Sequence, residues 1–423
     1  MPIDSNISIR KRIFVIAAGA LLALYALSLA TSMAGMELFG YGTVVFAMVA
    51  LATKKYNLVR LGPEPWFLAF LLVVAAGALN ATTLPMKFRI DVVGQLRFIL
   101  LLYALTITFI ELESWQQRFL NIVVVAFAIA AVYGVVQSFT GLDLIDAKST
   151  YDHDTFGGVA VWRARGFFSN TMSFAYCLGQ VFAFAFAYLL CRRGSQKRRL
   201  VTVALTTILG LGLICTFTRG AWVGIGGALV VMAFVYRRDL GVKLTAGLAG
   251  VLLVGALSSS LVRDRLASII NEGASHSVSQ RYDLWRVNWQ MFKDHPIVGV
   301  GYGYNYFFTH EYNQKVFGHE SFEAQTHNNF LQVLAGSGLP GFVIWLYFCA
   351  FFFWSALKLY WRDRGQDTLA RAVALGSVGA QVFFHIGGLT QSTFFDAKPL
   401  HILLCGWALV MAMLLKPTRA LQV

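Results

Sequence analysis

Acidic residues are scarce in this sequence, with 21 Asp and Glu among 423 residues and none near the middle of a long apolar run. Ion-driven transporters keep carboxylates inside the membrane, so this absence argues against a pump or coupled exporter. Charge of either sign is also sparse, at 13% against about 25% in soluble domains. All five cysteines (Cys177, Cys191, Cys215, Cys349 and Cys405) lie in or at the ends of apolar runs. That placement excludes a disulfide framework or a thiolate metal site in the polar loops. Tandem repeats, low-complexity tracts and a detachable soluble domain are absent as well. The first apolar run follows a basic decapeptide and lacks an A-x-A cleavage site, so it reads as a retained anchor.

What the sequence does contain is apolar surface. Hydrophobic residues make up 57% of it, and mean hydropathy is +0.62. A bilayer core needs about 20 mainly apolar residues per helix. Twelve such runs can be placed, at 13–31, 36–53, 66–81, 94–111, 119–138, 169–191, 200–216, 219–236, 243–262, 327–358, 368–388 and 399–415. The fold class expected is therefore all-α, a polytopic membrane protein of about 12 transmembrane helices in which residues 1–423 form one integral domain. The run at 327–358 is too long for one straight span, and Gly336, Gly338, Pro340 and Gly341 predict a bend. With the N-terminus inside, every short basic segment falls on the cytoplasmic side, including Arg192-Arg193 and Lys197-Arg198-Arg199. The net charge of +14 is mostly this positive-inside bias, so no nucleic-acid partner is expected. The polar segments 139–168 and 263–326 then lie outside, the latter as a large loop between the ninth and tenth spans.

That loop has helical patterning. Ser277 or Ser279 would cap a helix through Arg281–Phe292, with Leu284, Trp285, Asn288, Trp289 and Phe292 along one side. Trp285 and Trp289 suit the headgroup level. Pro296 ends this helix, Gly299–Tyr304 forms a turn region, and a second short helix covers parts of 304–316. All eight histidines (153, 276, 295, 310, 319, 327, 385 and 401) map to the outer loops or outer span ends, as an outward-facing catalytic cavity would require. Arginines repeat the bias: Arg163 and Arg165 before Gly166-Phe-Phe-Ser-Asn170, Arg219 at the turn between the seventh and eighth spans, and Arg281 in the loop. An arginine beside hydrocarbon needs an anion or a carbonyl. Arg165, Arg219 and Arg281 with His327 together suggest a bidentate site for a pyrophosphate. Asp152-His-Asp154 fits a D-x-D metal pattern only over three residues, and Gly299–Gly303 lacks the lysine of a phosphate loop. His327 and Asn328 stand where the long polar loop meets the tenth span, a costly position for polar groups without a partner or a task.

The ordered set Thr216-Phe-Thr-Arg-Gly-Ala-Trp222, Arg281…Trp285…Pro296-Ile-Val-Gly-Val-Gly301 and His327-Asn-Asn-Phe-Leu-Gln332…Gly338-Leu-Pro-Gly341 resembles the O-antigen ligase/polymerase superfamily. Arg163-Ala-Arg-Gly-Phe-Phe-Ser-Asn170 resembles its R-x-x-G-x-x-x-x-N-type segment. The resemblance covers about 165–345. It implies a GT-C-like glycosyltransferase of the Gram-negative inner membrane, multi-pass, with its active site facing the periplasm. The donor implied is O-antigen on undecaprenyl pyrophosphate and the acceptor a hydroxyl of lipid A–core oligosaccharide, so that the enzyme serves lipopolysaccharide biosynthesis among membrane lipids. No metal and no cofactor are implied, arginines taking the part of Mg²⁺. Arg165 and Arg281 would hold the pyrophosphate, with Arg219 a third contact or a structural residue and Arg163, Trp285 and Asn170 in the substrate site. His327, with an unperturbed pKa near 6.5, would activate or orient the acceptor. Asn328 would fix the imidazole or bind a sugar, and Asp283 is the base if His327 only supports. An O-antigen polymerase, a protein O-oligosaccharyltransferase and, from a different class, a lipid-linked sugar flippase are the alternatives.

Overall fold

The computed structural model describes residues 9–80, 86–145, 153–156, 159–192, 194–258, 276–318 and 325–415. Within them are fourteen α-helices. We number these α1 (Ile9–Thr31), α2 (Met33–Ala52), α3 (Glu64–Asn80), α4 (Met86–Glu111), α5 (Glu113–Thr140), α6 (Thr171–Cys191), α7 (Gln196–Cys215), α8 (Arg219–Tyr236) and α9 (Arg238–Ser258). Then come α10 (His276–Asp294), α11 (Asn305–Phe317), α12 (Asn329–Arg362), α13 (Leu369–Gly387) and α14 (Ala397–Leu415). Each of the twelve apolar runs falls on one of these helices. Nine of the described helices are long and apolar enough to cross a membrane, namely α1, α2, α5 to α8 and α12 to α14. The remaining three runs lie on α3, α4 and α9. The chain is a multi-pass membrane protein.

Burial ranks the helices. In α14, 89% of the spanning window is buried, against 22% in α7, so α14 is central and α7 presents most of its surface outward. Helix α13 packs on α6, α8, α12 and α14. Small residues make this close approach feasible, since helices in lipid gain nothing from burying apolar surface and associate by fit. A Cβ at Gly179 of α6 would stand 2.1 Å from the Phe383 ring of α13, and one at Gly376 would stand 2.5 Å from Phe184.

Two departures from the sequence expectations shape the outer end. A two-stranded antiparallel hairpin, β1 (His153–Phe156) with β2 (Val159–Trp162), interrupts the otherwise helical chain. Its four-residue strands are too short to show period-two patterning. In the outer loop, α10 begins at His276, so Ser277 and Ser279 lie inside the helix rather than capping it. Its buried face centres on Val287, Asn288 and Met291, while Trp289 is 47% exposed. The face containing Asn288 therefore packs inward, and only Trp289 of the expected pair stays open to the outside. Asn288 accepts from Thr326 (2.9 Å) and from Asn305 (2.9 Å), and Asn305 also donates to the Gln332 carbonyl (3.1 Å). This amide network ties α10 and α11 to the start of α12.

The predicted bend is present and precise in location. Gly338 inside α12 has φ 64° and ψ −175°, a region that only glycine adopts readily. The broken turn receives the segment after α10, backbone on backbone: Val300 N donates to Ala335 O (2.9 Å), Gly301 N to Gly336 O (3.0 Å) and Leu339 N to Pro296 O (2.8 Å). A Cβ at Gly299 would lie 2.4 Å from Gly336 backbone, and one at Gly338 would lie 2.3 Å from Ile297 O. The Pro296–Gly301 and Gly336–Gly341 motifs thus form one seam that sets α10 against α12.

Candidate active site

Helices α6, α8, α12 and α14 all begin at the end of the bundle opposite the basic loops, and each N-terminus brings partial positive charge there. Two helix starts are shaped by strained residues. Among the described residues only Lys54, Phe217 and His327 are non-glycine with positive φ. Phe217, at 51°, precedes α8, and His327, at 51°, precedes α12. Such residues are uncommon and gather at functional sites.

His327 is half-buried, and its Nδ1 lies 2.8 Å from Oε1 of Gln391 in the α13–α14 connection. With a carboxamide oxygen as partner, Nδ1 carries the proton and donates it, which leaves the Nε2 lone pair as the acceptor. Nε2 makes no hydrogen bond among the described residues. Burial lowers the His327 pKa, the Gln391 bond raises it, and Arg281 lowers it; the result lies below the ordinary value of 6.5. The imidazole is therefore neutral at pH 7 and a weaker base than the unperturbed value implied.

Arg281 is half-buried on α10, and its electrostatic neighbours are Tyr176, Arg219 and Arg163. No carboxylate is among them. Burial lowers its pKa first, and repulsion from Arg219 and Arg163 adds to this against the opposing effect of Tyr176. Arg281 and Arg219 have no hydrogen bond or ion pair to protein among the described residues. Arg219 is exposed in the first turn of α8, where the helix dipole already repels a cation. Arg163 is held by the strained turn, with Nε donating to Thr216 O (3.1 Å) and Nη2 to Thr218 Oγ1 (3.1 Å). Trp285 stands one turn along α10 from Arg281 on the same face. Its ring meets Tyr282 edge-on at 5.2 Å, and its buried indole N–H has no hydrogen-bond partner among the described residues.

The pyrophosphate contact expected of Arg165 meets a different arrangement. Its Nε and Nη2 both donate to Oδ2 of Asp143, at 2.8 and 2.5 Å, and both side chains are buried. Asp143 also accepts from the Tyr133 hydroxyl (2.8 Å). Gln137 clamps the backbone alongside, accepting from Arg165 N and Gly166 N and donating to Gly166 O. Arg165 thus pins the loop, and Arg163, two residues earlier, is the one that faces Arg281. Asn170 and Asn328 are helix caps: Asn170 Oδ1 accepts from Met172 N and Ser173 N, and Asn328 Oδ1 from Phe330 N and Leu331 N. A cap oxygen used in this way cannot also fix the imidazole. Asp283 lies two residues from Arg281, about 200° round the helix, and so faces away from it. Asp152 and His319 lie outside the described residues, and Asp154 is described only as a backbone position of β1. Among the described residues no three His, Cys, Asp or Glu side chains are grouped to hold a metal ion.

Two residues that sequence reasoning missed complete the site. Gln391 sits 64 positions from its histidine, and no local pattern links them. Asn329 donates to Thr393 Oγ1 (2.8 Å) and accepts from Phe394 N (2.9 Å), while its own N–H donates to Gly388 O (2.7 Å). It thereby locks the α13–α14 connection against the start of α12 and keeps Gln391 in reach of His327. Of the remaining histidines, His401 is buried in the core and hydrogen-bonds the Tyr25 hydroxyl (2.9 Å).

This arrangement offers a neutral imidazole with an open lone pair beside Arg281, with Arg219 near it, two guanidiniums that have no counter-ion among the described residues. Such a site can hold a doubly charged anion and take a proton from an adjacent hydroxyl. Residues 203–346 match the family described as O-Antigen ligase. The match spans the Thr216–Trp222 turn, α10, the seam and the start of α12, which are the parts that place Arg219, Arg281 and His327. Against curated proteins no match was found.

Proposed function

From the O-antigen ligase family domain that this chain carries, we propose that it transfers a polysaccharide from undecaprenyl pyrophosphate to lipid A–core oligosaccharide on the periplasmic face of a Gram-negative inner membrane. The family places it among membrane glycosyltransferase-like enzymes of ligase or polymerase type. The observation that carries the finer reading is that Arg281, beside His327, and Arg219, beside Arg281, have no carboxylate partner among the described residues. A pyrophosphate leaving group supplies the missing negative charge.

In this reading Arg281, Arg219 and Arg163 bind the pyrophosphate at the positive start of α8 and stabilise the charge that grows as the glycosyl bond breaks. An acceptor hydroxyl of the core oligosaccharide attacks the anomeric carbon. Its proton passes to Nε2 of His327, the new C–O bond forms, the bond to pyrophosphate breaks, and undecaprenyl pyrophosphate leaves. Gln391 holds the ring with Nε2 turned outward, and Trp285 offers an aromatic face and an N–H to a sugar. Arginine charge takes the place that a divalent cation holds in other transferases, so EDTA leaves the rate unchanged.

Reconstitution of the purified protein with polymer on undecaprenyl pyrophosphate and with lipid A–core tests this. Ligated product from the native protein, and none from His327→Ala or Arg281→Ala, is expected. Chain growth without the lipid A–core acceptor would instead identify a polymerase, and full activity in either variant would remove the mechanism.

A further inference from the structure

We propose that the opposite end of the bundle binds one anionic phospholipid of the cytoplasmic leaflet, in a cavity walled by α5, α6, α7 and α13. The cavity measures about 790 Å³, within the range of about 300–1,000 Å³ typical of small-ligand sites. Its walls are apolar, with Leu120, Val124, Phe184, Leu205 and Val373 among them. Its mouth is basic, lined by Arg192, Lys197 and Arg198. Each wall belongs to the basic-loop end of its helix. Along α5 the cavity begins near Gln117, whereas the active-site loop is clamped by Gln137, about 30 Å further on at 1.5 Å per residue. The cavity is therefore separate from the pyrophosphate site.

Charge identifies the occupant. Arg192 Nη1 pairs with Asp367 (3.1 Å), but its Nε is buried without a hydrogen-bond partner among the described residues. Lys197 and Arg198 have no ion pair among the described residues, and with Arg199 they fill the first turn of α7, which contains no acid. Three cations at the positive end of a helix repel its dipole and one another unless an anion joins them. The positive-inside bias accounts for their sign but not for an apolar cavity opening beneath them. On the far wall Gln117 donates to Asn121 (2.8 Å), leaving amide groups for the ester and glycerol oxygens. A phosphate at the mouth, glycerol beside the amides and an acyl chain between the helices match this sequence of surfaces.

The test uses the full-length protein, delipidated in detergent and titrated with phosphatidylglycerol or phosphatidylethanolamine while native mass spectrometry counts bound lipid. One phosphatidylglycerol per chain is expected, preferred over phosphatidylethanolamine. The double variant Lys197→Glu, Arg198→Glu should bind at least about tenfold more weakly, at about 1 kcal/mol, or about fivefold, per basic residue near an anionic lipid. Acids in the first turn suit the α7 dipole, so this variant keeps its helix. Val201→Trp, on a wall position that is 52% exposed, should exclude the acyl chain and lose binding likewise, while Arg199→Glu, outside the cavity lining, should weaken binding by less than the double variant does. Glycan transfer at the native rate in both binding variants confirms their fold. Equal binding of the two phospholipids, native-like binding by the charge variant, or displacement of phosphatidylglycerol by undecaprenyl phosphate at equal concentration would each overturn the assignment.

Discussion

Replacing Gln391 by leucine isolates the role of the hydrogen bond that orients His327. Leucine keeps an apolar branched side chain one atom shorter than glutamine and removes the carboxamide whose oxygen lies 2.8 Å from Nδ1. A side-chain hydrogen bond contributes about 0.5–1.5 kcal/mol net, or about 2- to 12-fold in the population of the productive ring orientation. General base catalysis as a whole contributes about 10²–10⁴-fold. The Gln391→Leu variant should therefore lose about tenfold in kcat/KM, well short of the loss in His327→Ala. The pH profile carries the sign. His327 acts as its neutral form, so the rate falls as pH drops through its pKa. The Gln391 bond raises that pKa, so its removal shifts the acid limb to lower pH while the plateau drops. Rates of transfer from lipid-linked donor to acceptor, measured against pH, report both. An unchanged plateau would remove Gln391 from the mechanism, and an acid limb moving upward would contradict the proton's assignment to Nδ1.

Arg165→Ala should unfold the site rather than disable its chemistry. It strands Asp143, whose side chain is 3% exposed, at a cost of about 3–5 kcal/mol; a lower Tm is expected, whereas Arg281→Ala should keep the native Tm and lose transfer. Equal melting of the two proteins would refute that division. Gly338→Ala places a Cβ 2.3 Å from Ile297 O at a φ of 64°. At least about 1–3 kcal/mol of backbone strain should appear as a lower Tm, with transfer lost as α10 and α12 separate. Asn328→Ala removes a helix cap, costing about 1 kcal/mol, and should reduce transfer only modestly, while Asn328→Asp keeps the cap; abolished transfer in both variants would mean that the carboxamide contacts substrate.

The membrane class and the helices were legible because apolar composition and run length act locally. A helix lies on each of the twelve runs within the described residues, and the Gly336–Gly341 cluster marked the bend in α12. The site was legible only in its components. Arg163 and Arg165 follow a strand, where residues two apart would share a face, yet Arg163 bonds the Thr216–Thr218 turn and Arg165 bonds Asp143, so telling them apart requires the positions of that turn and of Asp143. That strand is four residues long and carries no pattern of its own. Asn170 and Asn328 could have been assigned from capping preference alone, since each directly precedes a helix. Gln391 and Asn329 act through contacts between segments 59 to 65 positions apart, and no single-sequence period encodes such a pair.

The contrast between the two arginine environments explains why one is a site and the other is scaffold. Arg165 has a carboxylate, two N–H donors on one of its oxygens and a clamped backbone, and its charge is satisfied within the fold. Arg281 is half-buried, yet its charged neighbours are other arginines, and the helix starts around it add further positive potential. A fold optimised for stability alone would place an acid there, because unpaired buried charge is strongly unfavourable. The positive residue set is stable only if an anion shares it for part of the enzyme's cycle. In the function proposed above, a pyrophosphate-linked donor supplies that anion, and its leaving group keeps the charge as the glycosyl bond breaks. On that proposal donor binding relieves the repulsion among the arginines, while Arg281 helps keep His327 neutral for the acceptor's proton.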